Sequence, residues 1–139
     1  TGNPVGINAS GHQIDTAFFK SLNSRIHDLD TAYTGRFSSR AGLHSDHQPF
    51  MLAGVPVMGM HSNLDRSIYG CYHADCDDFD LVNEEHIRNT TRFASMALFE
   101  VANADKLPAS RMTSDQTRQF MIDNGLEANL RLQGDWKWE

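Results

Sequence analysis

At 139 residues, with 40% hydrophobic and 22% charged side chains, the chain is long enough for one globular domain with a real core, or for part of one. Its formal charge of -6 and the lack of any Lys/Arg cluster longer than two residues exclude a broad nucleic-acid or anionic-membrane surface, because nothing is present to neutralise phosphates. No apolar run approaches the length that spans a bilayer.

The opening Thr1-Gly2-Asn3-Pro4 has neither an initiator Met nor a signal-peptide pattern, so the chain reads as a processed product or a piece of something longer. Residues 1–12 are rich in Gly, Asn and Ser, with Val5 and Ile7 alternating around Gly6, which suggests a short strand or loop. From Gln13 to His27, Ile14, Phe18, Leu22 and Ile26 recur every four residues and predict a helix with one apolar stripe. His12 and His27 bracket it as surface or capping residues. Residues 28–40 are polar and turn-prone, with Ala32-Tyr33-Thr34 as a short strand.

In the next stretch, Ser45 can cap a helix whose first turn holds Asp46 and His47, with Pro49 near enough to the start to be tolerated. Gly54 ends that helix and Pro56 opens an apolar strand. The Ser-Asp-His cluster at the helix mouth is either capping or part of a site, since backbone N–H groups there favour anions. Asp80 or Asn83 then caps a long helix, with Glu84 and Glu85 complementing its dipole. Ile87, Thr91, Ala94, Leu98 and Val101 predict its core face. A shorter helix runs from Ser114 to about Asp123 and stops at Gly125. The tail, with Leu126, Ala128, Leu130 and Leu132, fits a strand, a helical turn or an extended arm.

Chemistry concentrates in Gly70-Cys71-Tyr72-His73-Ala74-Asp75-Cys76-Asp77-Asp78. Cys71 and Cys76 are a disulfide in an oxidising compartment and free thiols in the cytosol. A lone C-x4-C pair is weak evidence for structural zinc, which wants four closed ligands. His44, His47 and His73 could share a metal only if the fold brings them together. The chain has no phosphate-cradling glycine loop, nucleophile elbow or close pair of metal-ligand motifs. Asn8-Ala9-Ser10 and Asn89-Thr90-Thr91 fit the glycosylation pattern.

Ser45-Asp46-His47-Gln48-Pro49-Phe50, then Gly54-Val55-Pro56-Val57, then Tyr72-His73 with Asp77 four residues after the histidine, resembles the C-terminal part of the co-catalytic di-zinc aminopeptidases. Their clan includes glutamate carboxypeptidase and the transferrin-receptor ectodomain, and the resemblance covers about residues 40–104. It implies an α/β chain forming the C-terminal portion of a three-layer α/β/α zinc-exopeptidase fold with a mixed sheet, so residues 1–139 make a single partial domain. It implies two zinc ions in the intact parent enzyme, roughly 3.5–4 Å apart as in two-metal hydrolases. His73 corresponds to the late histidine ligand. Tyr72 corresponds to a residue that donates a hydrogen bond to the developing oxyanion. Asp77, Asp46 and His47 are supporting residues. Some secreted members bracket the same Tyr-His with two cysteines, which favours a Cys71–Cys76 disulfide and a secreted or periplasmic location.

The family's other ligands, a His-x-Asp, a glutamate beside a catalytic glutamate and a further aspartate, have no match. Glu84-Glu85 follows the Tyr-His motif instead of preceding it. The expected protein is therefore a C-terminal fragment of a zinc aminopeptidase, inactive alone and not holding both zincs. Its expected partners are peptide substrate in the parent and the missing N-terminal half or a second copy, with no nucleic acid or membrane. The alternatives are a catalytically inactive peptidase-fold interaction module and an unrelated small α/β protein.

Overall fold

The computed structural model describes residues 2–139; Thr1, at the head of the first predicted stretch, lies outside them. Three strands, β1 (Asn3–Ser10), β2 (Arg36–Ser38) and β3 (Val57–Asn63), form one sheet in the order β2-β1-β3. β2 is parallel to β1 and β3 antiparallel to it, so the sheet is mixed, as expected. The parallel register sets Gly6 opposite Arg36 and Asn8 opposite Ser38. Gly6 is demanded by contact: a Cβ there would sit 1.8 Å from the Arg36 carbonyl oxygen.

Helix α1 (Thr16–Leu29) connects β1 to β2, and Asp15 caps it by accepting from the Phe18 N–H. Phe19, Leu22, Asn23 and Ile26 are its buried residues, so the stripe falls about where periodicity placed it. Helix α2 (Gln48–Leu52) is short, and Gly54 follows it at φ 79°. A side chain at Gly54 would meet the Met112 carbonyl at 2.5 Å. Helix α3 (Glu84–Ala102) is capped by Asn83, which accepts from the His86 N–H at 3.0 Å. Helix α4 (Ser114–Asp123) begins with a capping box between Thr113 and Gln116, satisfying two N–H groups that the helix leaves open. Helix α5 (Glu127–Gln133) follows directly.

Two apolar clusters hold these elements. In the first, Ile7 and Ala9 of β1 pack with Phe19, Leu22 and Ile26 of α1, with Tyr33, and with Phe93 and Ala97 of α3. Strand alternation sends Val5, Ile7 and Ala9 to this helical side and Asn8 and Ser10 to the opposite face. The Tyr33 and Phe93 rings meet edge-on with centroids 5.0 Å apart. The second cluster joins Met51 of α2, Met121 of α4, Leu126, Leu130 of α5 and Trp138. The Trp138 indole donates to the Ser114 hydroxyl at 3.0 Å, fixing the tail to the start of α4.

Three local expectations are corrected, and the tail, open between strand, helical turn and arm, takes one of its alternatives. Residues 32–34 are not a strand: Tyr33 is fully buried and its hydroxyl donates to Asn23, so tertiary packing overrides the local β preference. Ser45 does not cap α2. The cap is His47, without a side-chain bond, and Ser45 starts a turn in which its carbonyl accepts from the Gln48 N–H at 2.9 Å. The tail is helical because Leu126 and Leu130, four apart, both reach the second cluster.

On α3 the predicted stripe is largely misplaced: of its residues Val101 packs against the first cluster, but Ile87, Thr91 and Leu98 are exposed. Phe93 and Ala97 are buried, whereas Ile87 is 43% and Leu98 62% exposed. Both faces carry apolar residues, and periodicity alone cannot tell which meets the sheet. Among the described residues β3 pairs only with β1, so the second edge of the sheet is also open.

Candidate active-site wall

After β3 the chain turns through two short 3-10 segments, Arg66–Cys71 and Phe79–Leu81. The first is capped by Asp65, which accepts from the Ser67 N–H at 2.9 Å. That backbone bond, and then the Ser67 hydroxyl, hold the Asp65 carboxyl below the usual carboxylate range. Beyond it, the Tyr72 N–H donates to the Tyr69 carbonyl and the Ala74 N–H to the Cys71 carbonyl at 3.0 Å. Cys71 and Cys76 are disulfide-bonded with Cα atoms 5.0 Å apart, closing the ring around Tyr72-His73.

His73 adopts φ 59°, a left-handed conformation that costs a non-glycine residue about 1–2 kcal/mol. Asp77 helps to hold it there, its carboxylate accepting from the His73 N–H at 3.2 Å. This turn displays the two side chains together: the Tyr72 and His73 ring centroids are 4.1 Å apart, and Tyr72 is 63% exposed. Neither ring nitrogen of His73 has a hydrogen-bond partner among the described residues. Tyr72 and Asp77 line a small depression of about 140 Å³ with Leu64, Ile68, Leu81 and Val82.

The other supporting residues lie elsewhere. His47 Nε2 meets the Gly42 carbonyl at 2.9 Å; since a carbonyl only accepts, Nε2 carries the proton. His47 lines a different cleft of about 410 Å³ on the sheet face opposite the first core, along with Asn8, Ser38, Arg40 and His61. Asp46 is exposed and lines neither depression. Thus the turn gathers Tyr72, His73 and Asp77, but neither depression contains both that group and His47.

Sequence reasoning missed Asn8, Ser10, Ser38, Arg40 and His61. Their signal was the polar half of the β1 alternation, Asn8 and Ser10 alternating with apolar Ile7 and Ala9, which marks a second, polar sheet face. Asn8 also carries one of the two glycosylation patterns, yet its side-chain amide already donates to the Arg40 carbonyl at 3.0 Å.

The class of protein this domain represents is the metallopeptidases, α/β hydrolytic enzymes. The chain belongs to peptidase family M28, whose family model matches residues 3–98, from β1 nearly to the end of α3. No curated protein and no solved structure matches it. The match stops short of α4 and α5, so the second core joins Met51 of the matched region to Met121, Leu126, Leu130 and Trp138 beyond it.

The family is generally zinc-dependent, and a zinc centre needs three or more convergent donors. Among the described residues no three His, Cys, Asp or Glu side chains are grouped to hold a metal. His44, His47 and His73 therefore do not form the shared site that chain order left open. Near His73, Asp77 is committed to the His73 N–H and Asp78 to the Phe79 N–H. The residues present do not fit a two-metal centre. They offer one imidazole and one phenol, held side by side on a braced turn.

Proposed function

We propose that this chain is one wall of a zinc aminopeptidase site whose remaining ligands come from outside these 139 residues. His73 is the donor it contributes to the metal centre. Tyr72 is the hydrogen-bond donor to the substrate carbonyl, a role suited to an exposed phenol beside the ligand. Asp77 positions the turn, and the intact parent removes residues from a peptide's free N-terminus. The carrying observation is the Tyr72-His73 pair, exposed on a disulfide-closed turn in a family M28 domain that gathers no complete ligand set among its described residues.

Two further features support a missing counterpart. The open edge of β3 carries no Lys or Pro that would discourage pairing, and Ile87, Leu98 and Phe99 leave apolar surface on α3 uncovered. The chain accordingly associates with the absent half or with itself. The disulfide supports a secreted or periplasmic setting.

The test is metal analysis together with hydrolysis of an aminoacyl chromogenic substrate. The expected result is less than two tightly bound zincs per chain and no turnover. Stoichiometric binding of two zincs, or turnover by the chain alone, would overturn the reading. One observation favours the second reading, an inactive interaction module: the larger cleft is lined by neutral and basic groups. Sequence upstream of Thr1 decides between them, since a His-x-Asp followed by Glu-Glu supports the enzyme and their replacement supports the module.

A further inference from the structure

The turn that carries Tyr72 and His73 lies outside both cores. No residue from 61 to 92 belongs to either apolar cluster, and none from 64 to 82 is buried. Among the described residues, the hydrogen bonds of residues 72–77 also stay local. The Tyr72 N–H donates to the Tyr69 carbonyl, the Ala74 N–H to the Cys71 carbonyl, the Asp77 N–H to the Ala74 carbonyl at 2.9 Å, and the His73 N–H to the Asp77 carboxylate. The covalent tie across the turn is the bridge from half-buried Cys71 to exposed Cys76. Opening it removes no contact from either core, so local opening is decoupled from global unfolding.

The formal charge around the bridge is of one sign. Asp75 and Asp77 flank Cys76 in the chain, Asp78 and Asp80 follow, and no Lys or Arg occurs between Arg66 and Arg88. None of these four aspartates has an ion-pair partner among the described residues. A thiol attacks a disulfide as its thiolate, so a donor that is negative elsewhere is repelled from this turn and one with cationic groups is drawn to it. Exposed bridges have the more oxidising potentials and are the ones that exchange in the folded state.

We propose that the Cys71–Cys76 bridge is a reversible switch on this turn, opened by a dithiol donor with a cationic face. The donor's thiolate bonds to Cys76 Sγ as the Cys71–Cys76 bond breaks, and the leaving Cys71 thiolate takes a proton. The donor's second thiol then displaces Cys76 from the mixed disulfide. The chain gains two electrons and two protons, and the donor leaves as its own disulfide. Oxidised, the ring holds His73 at φ 59° beside Tyr72. Reduced, Asp77 and the short backbone turns alone hold a left-handed residue. What the switch controls, the paired display of Tyr72 and His73, rests on reading that pair as part of a zinc site; the exchange itself does not.

The test uses the full oxidised chain without denaturant, treated with dithiothreitol and followed by thiol count and amide NMR. Two thiols per chain should appear, with shifts confined to the amides of residues 69–80 and reversed by hydroxyethyl disulfide once the reductant is removed. Rates with cysteamine, 2-mercaptoethanol and 2-mercaptoethanesulfonate, each divided by its rate on hydroxyethyl disulfide, isolate the effect of charge. The cation should react about tenfold faster than the anion at low salt, and the ratio should fall toward unity at about 0.5 M salt. Asp75→Asn with Asp80→Asn, whose carboxylates accept no hydrogen bond among the described residues, should cut the ratio to about threefold. Thiols released only when denaturant unfolds the chain, shifts spreading into β1 or α3, or a bridge that does not re-form would overturn the switch. Equal normalised rates for the three thiols would overturn the cationic donor. The zinc and turnover measurements leave these readouts untouched, so the two readings fail separately.

Discussion

Replacing both Cys71 and Cys76 by Ser opens a ring of six residues, and the loop-closure relation for a ring that small gives about 2 kcal/mol. The left-handed His73 costs about 1–2 kcal/mol, so the bridge and the strain are of similar size. The bond from the His73 N–H to Asp77 contributes about 1 kcal/mol more. Without the bridge the turn is close to balance, and the Tyr72-His73 pair loses its fixed presentation. Because residues 72–80 are all exposed, the loss is local: the urea midpoint should hardly move, while the amides of His73, Ala74 and Asp77 should exchange roughly thirtyfold faster. Hydrogen exchange read residue by residue decides it. Exchange at those amides unchanged in the double variant would show that backbone turns and Asp77 suffice, and that the bridge does not brace the site.

Tyr33→Phe leaves the buried Asn23 without its phenol donor, beside an Nδ2 that already has no partner, and should cost about 1–3 kcal/mol in urea unfolding; a loss below about 0.5 kcal/mol would contradict it. Burial also pushes the Tyr33 phenol well above its ordinary value. A raised folded-state value gives stability that is fully present below the unfolded pKa of about 10 and lost as pH rises above it, by up to about 1.4 kcal/mol per unit; the Phe variant should lack that Tyr33 component of the alkaline slope. Gly6→Ala forces a methyl onto the Arg36 carbonyl and should cost about 3 kcal/mol or more, with the β1–β2 amides losing protection first; an unaltered melting temperature would refute the register. Asn8→Asp removes the donor to the Arg40 carbonyl and sets a carboxylate against it, so a loss of about 1–3 kcal/mol is expected at neutral pH, and a gain in melting temperature would show that the bond is misassigned.

The parts of the fold legible in the sequence are those written in local code. Asn83 with Glu84 and Glu85, the four-residue spacing on α1, and Gly54 before Pro56 each describe a feature that needs no distant partner. The outward face of α3 and the burial of Tyr33 were not legible, because both depend on which surfaces the sheet offers. For the site, the Tyr72-His73-Asp77 turn is a contiguous stretch and could be read directly. The cleft could not: Asn8, Ser38, Arg40 and His61 come from three strands and a loop, and only pairing of β1 with both neighbours assembles them.

That same pairing imposes an order on how the chain is made. Of these three strands β1 leaves the ribosome before the others, β2 some twenty-five residues later and β3 about fifty residues later. At synthesis rates of about 5–20 residues per second, the central strand waits on the order of several seconds for its longer neighbour. During that interval Val5, Ile7 and Ala9 are bare, and a nascent chain stalled before residue 57 presents an apolar strand with one short partner at most. Among these three strands, chaperone capture and early aggregation should therefore concentrate on β1, the strand that the finished sheet places at its centre.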